Sequence, residues 1–141
     1  MNYTQIDDQY LVRLSHTENL FEKLTTFCQE KNIVSGKFNA IGAFDTVTLG
    51  FYHLNRKEYT WKDIDSAHEI VSLTGNITQV DNQPLLHIHC VLSNSEFAAF
   101  GGHLKAATVG ATCEIILTPF SKTITREFDQ DTGLKLIHCE V

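Results

Sequence analysis

Apolar and polar residues alternate along much of the chain, most sharply at Leu85-Leu86-His87-Ile88-His89-Cys90-Val91-Leu92. Strand side chains point to opposite faces at successive positions. Leu86, Ile88, Cys90 and Leu92 therefore make one apolar face, while His87 and His89 share the other. Upstream, Tyr10–Leu14 reads as a short first strand. Ser15-His16-Thr17-Glu18 then carries a Ser-x-x-Glu capping signal, with Thr17 as a second candidate cap. Leu20, Phe21, Leu24, Phe27 and Cys28 recur at helical spacing, which predicts an amphipathic helix running to about Lys31.

From Val34 to Leu54 the pattern becomes strands punctuated by Gly36, Gly42 and Gly50. Ala40-Ile41-Gly42-Ala43-Phe44 suits a strand buried on both faces, and Thr46–Tyr52 looks like its hairpin partner. Glu58–Trp61 is a further short alternating run, and polar, acidic Lys62–Ala67 reads as a loop. Glu69–Thr78 alternates again, and Asp81-Asn82-Gln83-Pro84 supplies turn chemistry before the histidine strand. Directly opposed residues of an antiparallel hairpin point to the same face. A two-residue loop at Asp81-Asn82 sets His87 opposite Asn76 and His89 opposite Thr74; a four-residue loop shifts each by two. Either puts Ser72, Thr74, Asn76 and Thr78 beside the histidines and sends Val71, Leu73 and Ile77 to the core. A bulge would break that parity. Thr112–Thr118, Thr123–Phe128 and Leu134–Ile137 complete the strands, with a turn at Asp129–Gly133.

At 141 residues and 43% hydrophobic, the chain is long enough to bury a core without disulfides or a metal staple, and is expected to form a single domain over residues 1–141. No apolar run approaches the roughly 20 residues of a membrane span, and the acidic N-terminus does not resemble a signal peptide. The expectation is a cytoplasmic protein with no membrane partner. Its four cysteines, Cys28, Cys90, Cys113 and Cys139, show no C-x-x-C spacing and read as small buried hydrophobes. The net charge of −6, with only Arg13, Arg56 and Arg126 as arginines, shows no basic face for duplex DNA, so intrinsic nucleic-acid binding is not expected.

The candidate chemistry lies in the histidines. Cα atoms two apart on a strand are about 6.6 Å apart, close enough for two imidazoles to reach one ion at about 2.1 Å. Gly101-Gly102 precedes His103. Positive φ at these glycines would let a loop turn a third imidazole onto the same point. Histidines that merely hydrogen-bond to backbone are the alternative. Ser72 to Thr78 would give either arrangement a polar face. His53, His68 and the pair His138-Cys139 read as exposed or structural, and Gly-Gly has no P-loop or G-x-G-x-x-G context.

Taken together, Leu11-Val12-Arg13-Leu14 with its helix, Ala40-Ile41-Gly42-Ala43, Glu69–Ile77, His87-Ile88-His89, Gly101-Gly102-His103-Leu104, Thr112-Cys113-Glu114-Ile115 and the ending from Arg126 to Leu134 resemble the stand-alone prokaryotic form of the PPC domain, the domain shared by plants and prokaryotes. The ending matches R-x-x-D-x-x-T-G-L. The resemblance implies an α+β fold, a largely antiparallel β-sheet flanked by helices, assembled as a homotrimer. It also implies a divalent transition metal, zinc, at positions matching His87, His89 and His103, and makes Glu69 a candidate pocket residue. The parity of the hairpin places Glu69 on the core face or at a strand start instead. In plants the domain is joined to AT-hook segments of DNA-binding proteins, but this chain has no Arg-Gly-Arg-Pro hook. Three functions follow as expectations. The first is a metal-binding module with a small-molecule ligand or partner. The second is an enzyme whose three-histidine metal keeps a position open for water. The third is a DNA-associated regulator.

Overall fold

The computed structural model describes residues 1–139. Its elements run β1 (Asn2–Ile6), β2 (Gln9–Ser15), α1 (Leu20–Glu30), β3 (Gly36–His53), β4 (Glu58–Val80), β5 (Gln83–Ser93), β6 (Ala99–Pro119), β7 (Arg126–Asp129) and β8 (Leu134–Ile137). The expected α+β sheet flanked by helices is not what forms. The described residues are mostly strand with one helix of 11 residues, and a large antiparallel sheet dominates. Six strands lie in the order β1-β2-β6-β3-β4-β5, and a further β5–β6 pairing closes β6, β3, β4 and β5 into a ring. β7 and β8 form a separate hairpin.

The helix is where its apolar stripe put it. Leu20, Leu24, Phe27 and Cys28 are buried and pack with Val12, Leu14, Ile88, Leu92, Ile115 and Leu117 in one core. Its cap is Asn19, whose Oδ1 accepts the Glu22 N–H at 3.0 Å. The Ser15/Glu18 pair closes a turn ahead of the helix instead: Glu18 accepts from the Ser15 N–H at 2.8 Å and from the N-terminal amine at 2.6 Å.

The strands are longer than their patterns suggested. Ala40–Phe44 and Thr46–Tyr52 belong to the single strand β3 and are not hairpin partners, and Lys62–Ala67 is paired strand within β4. The register of β3 shifts near Gly42 and Asp45. At Gly42, with φ of 137°, a Cβ would stand 2.0 Å from the Thr112 carbonyl oxygen, so glycine is required there. The shift at Asp45 flips the alternation, with Phe38, Ala40 and Phe44 buried before it and Val47 and Leu49 after it, which makes one bent strand look like two. Ala40 and Phe44 are buried but Ile41 between them is 58% exposed, so this stretch is not covered on both faces.

The β4–β5 hairpin turns on two residues. Val80 pairs with Gln83, and Asp81 and Asn82 take φ of 52° and 61°, the paired positive values of a tight type I′ turn. A bulge between Ile70 and Ser72 then breaks the parity. Leu73 and Ile77 reach the core as expected, but Val71 is 56% exposed and Ile70 is buried in its place. Among the described residues, no helix is long and apolar enough to cross a membrane.

Candidate metal centre

Two neighbouring strands, β5 with His87 and His89 and β6 with His103, bring the histidines together. The register pairs His87 with Asn76 and His89 with Thr74 across β4–β5, and His89 with His103 across β5–β6. The expectation for His103 is corrected in its means. Gly101 and Gly102 do not lie in a loop and do not take positive φ; both are strand residues of β6. Their role is close approach: a Cβ on Gly101 would sit 2.2 Å from the Cys90 carbonyl oxygen, and one on Gly102 2.9 Å from that of Gly50. Without side chains at these positions, β6 can lie against both β5 and β3.

The three rings converge. Their centroids are 5.1 Å (His87–His89), 5.2 Å (His87–His103) and 5.3 Å (His89–His103) apart. One ring nitrogen from each lies within 4.8 Å of the others, and the Nε2 atoms of His87 and His89 are 3.2 Å apart. Two nitrogens at that spacing can each stand about 2.1 Å from a shared ion. The donor set also suits a cation. Burial, reinforced by the Arg126 charge and the neighbouring imidazoles, pushes the His87 pKa down to about 4. Burial and His89 push that of His103 down too. Both rings are thereby held neutral, the form that ligates. The buried Nδ1 of His103 has no hydrogen-bond partner among the described residues, an unsatisfied polar atom beside the cluster.

The surroundings divide the expected supporting residues. Asn76 belongs to the site: its Oδ1 accepts from Arg126 Nη2 at 2.9 Å, and the same Nη2 stands 3.3 Å from His87 Nδ1. Thr74 lies opposite His89 and lines a hollow of about 380 Å³ with Ser72, Val91 and Gly101. Glu69 does not join the cluster. The Val71 bulge moves it off the core face, but it pairs with Ser93, four residues along β5 from His89, about 13 Å at strand rise.

Arg126, Tyr59 and Trp61 complete the site without having been singled out as site residues from the sequence. Arg126 donates from Nε to the buried Thr78 Oγ1 at 2.8 Å and from Nη1 to the Lys135 carbonyl at 2.9 Å, tying the β7–β8 hairpin to the histidine face. The remainder of R-x-x-D-x-x-T-G-L builds the turn. Asp129 Oδ1 accepts from both the N–H and the hydroxyl of Thr132 at 2.7 Å, and Gly133 takes φ of 73°. Tyr59 stacks on Trp61 with centroids 4.4 Å apart and stands 5.1 Å from the His103 ring. The only signal for Arg126 was its place in the ending; Tyr59 and Trp61 had none beyond strand alternation.

Elsewhere, His53 meets the Thr60 hydroxyl at 2.9 Å, and buried His68 meets the Ser66 carbonyl at 2.7 Å. His138 pairs with Glu127 at 3.3 Å. Cys28, Cys90 and Cys113 are buried as expected, whereas Cys139 is exposed.

A ring of antiparallel strands with three histidines on its outer face defines the class of this protein, and comparison with known proteins gives the family. The chain belongs to the Plants and Prokaryotes Conserved (PCC) domain family, whose model matches residues 1–121. No curated protein matches it. Among solved structures it is similar to a protein of Bacteroides thetaiotaomicron named as a suspected DNA-binding protein, with 34% identity, TM-score 0.94 and coverage of 97% of this chain and 96% of that one. A metal-containing protein from Archaeoglobus fulgidus matches with 34% identity, TM-score 0.88 and coverage of 98% and 99%. A plant- and prokaryote-conserved protein from Pyrococcus horikoshii matches with 27% identity, TM-score 0.87 and coverage of 99% and 95%.

Proposed function

We propose that this protein is a homotrimeric metal-binding module that holds one divalent transition metal, zinc, per chain through His87, His89 and His103. The observation that carries the reading is the convergence of one nitrogen from each ring within 4.8 Å. The lowered His87 and His103 pKa values support it, as does the metal-containing name of the Archaeoglobus relative. Three imidazoles are also accepted by copper, nickel and iron, and zinc is the metal that the family resemblance implies. Elemental analysis of protein purified without an affinity tag tests the metal. One zinc per chain is expected, and a metal-free protein that takes up none on titration overturns the reading.

The trimer has support in the exposed apolar residues of the histidine face. Ile41, Val71 and Val91 occupy adjacent positions on β3, β4 and β5 and are 58%, 56% and 40% exposed. Neighbouring apolar residues on one face are what a second copy would cover. Three buried free thiols fit a reducing compartment, the cytoplasm.

A specific observation also favours an enzyme. A cavity of about 280 Å³ reaches His87 and His103, leaving room beside the cluster for water or substrate. A metal bound there would lower the pKa of its water toward neutrality. Duplex DNA is the least supported partner despite the name of the Bacteroides relative, because a chain carrying −6 is repelled by phosphates. A submicromolar dissociation constant for duplex DNA at about 150 mM salt would reverse that ranking.

A further inference from the structure

The cavity beside the histidines has a chemistry of its own. Leu86, Leu134, Leu136 and Tyr59 give it an apolar wall, and His87 and His103 form one end. Arg126 also lines it, and no carboxylate does among the described residues. Arg126 has five N–H donors, and among the described residues its contacts to Thr78, Asn76, His87 and the Lys135 carbonyl leave one N–H on Nη1 without a partner. Lys135 lines the same space, with its ammonium 3.6 Å from Asp81.

Charge bookkeeping then points one way. Three neutral imidazoles do not compensate a divalent ion, so a loaded site keeps a double positive charge beside a guanidinium. In a partly desolvated hollow, such charge calls for an anion. The apolar wall calls for a hydrocarbon body on that anion, which a bare phosphate lacks. A volume of about 280 Å³ is at the small end for ligand cavities. We infer that the cavity between the histidine cluster and the β7–β8 hairpin binds a small monocarboxylate with a short apolar chain, its carboxylate toward the metal and Arg126 and its chain against Leu134 and Leu136. This rests on the metal reading above and names the ligand class of that same site.

Hexanoate serves as the probe, with hexanamide and inorganic phosphate as controls. Calorimetry reads binding, and fluorescence of Tyr59 and its stacked neighbour Trp61, the one tryptophan in the chain, reports occupancy independently of any catalysis. Hexanoate is expected to bind the zinc-loaded protein at least about tenfold more tightly than the metal-free protein, hexanamide or phosphate, because charge-assisted contacts are roughly twice as strong as neutral ones. Leu136→Trp, which fills the cavity from the hairpin, is expected to abolish hexanoate binding while zinc stoichiometry stays at one. If zinc loads normally and hexanoate does not bind, binds no better than hexanamide or phosphate, or binds Leu136→Trp unchanged, the inference fails and the metal site stands. If no zinc loads, both fall, and the metal titration shows it.

Discussion

Arg126 Nη2 stands 3.3 Å from Nδ1 of His87 and, at 2.9 Å, donates to Asn76 Oδ1, the residue paired with His87 across the β4–β5 ladder. One guanidinium from beyond the matched family segment thus steadies both a histidine of the cluster and its cross-strand neighbour. The consequence is testable. Arg126→Ala removes contacts to Thr78, Asn76, His87 and the Lys135 carbonyl, and leaves the buried Thr78 hydroxyl without that donor. A loss of about 1–3 kcal/mol is expected in urea unfolding of the metal-free protein, with zinc affinity up about two- to tenfold, because a guanidinium is a cation that cannot accept the Nδ1–H of an imidazole ligating through Nε2. Unchanged values for both would make the hairpin a passive appendage.

Zinc titrations of His87→Ala, His89→Ala and His103→Ala should each show affinity lowered by about a hundredfold or more, since two imidazoles chelate far less well than three. Chelation of the parent should reduce its melting temperature without unfolding it, because the core of Phe27, Phe44, Leu73, Ile88 and Ile115 does not depend on the site. If all three variants hold zinc as tightly as the parent, these are ordinary sheet histidines.

Acid should weaken the metal-free protein in a defined window. His87 is held near pKa 4 in the fold, chiefly by burial, against 6.5 for a free imidazole. Between those values the unfolded chain binds a proton that the folded chain refuses, so stability rises with pH across the window. The contribution is complete above about 6.5 and is lost as pH falls toward 4, with His103 acting in the same direction. Urea midpoints of metal-free protein measured from pH 7 to pH 4.5 should fall, and His87→Gln should fall less steeply. Equal slopes would remove His87 as a cause.

Gly101→Ala should separate the histidines without touching one. The new Cβ would lie 2.2 Å from the Cys90 carbonyl oxygen, backbone that cannot swing away. The β5–β6 pairing that sets His103 opposite His89 must open, at a cost of about 1–3 kcal/mol and with loss of zinc affinity. A variant that is as stable and binds zinc as well as the parent would show that the close strand approach is not needed.

Light scattering at micromolar concentration should return about three times 15.9 kDa, and Val91→Asp, on the exposed apolar strip, should lower that mass. A parent protein that runs at 15.9 kDa ends the trimer proposal.

Much of the histidine strand was determined by the sequence alone. Alternation from Leu85 to Leu92 put His87 and His89 on one face, and Asp81-Asn82, able to take positive φ, allowed the two-residue turn that sets Asn76 and Thr74 opposite them. The apolar stripe of α1 was equally legible, because a helical or strand period is a local property of neighbouring side chains. What only the tertiary structure decided involves partners distant in sequence. Register shifts at Asp45 and Val71 reverse the alternation where a strand meets its neighbours. The one in β3 makes a single strand read as two elements, and the one in β4 moves Glu69 off the core face without bringing it to the cluster. His103 reaches His89 through a strand contact with no room for a Cβ at Gly101, and Arg126 returns to His87 across 39 positions of chain. Bulges, backbone approach and long-range donors are set by how strands pack against one another, and a single strand's own period does not carry them.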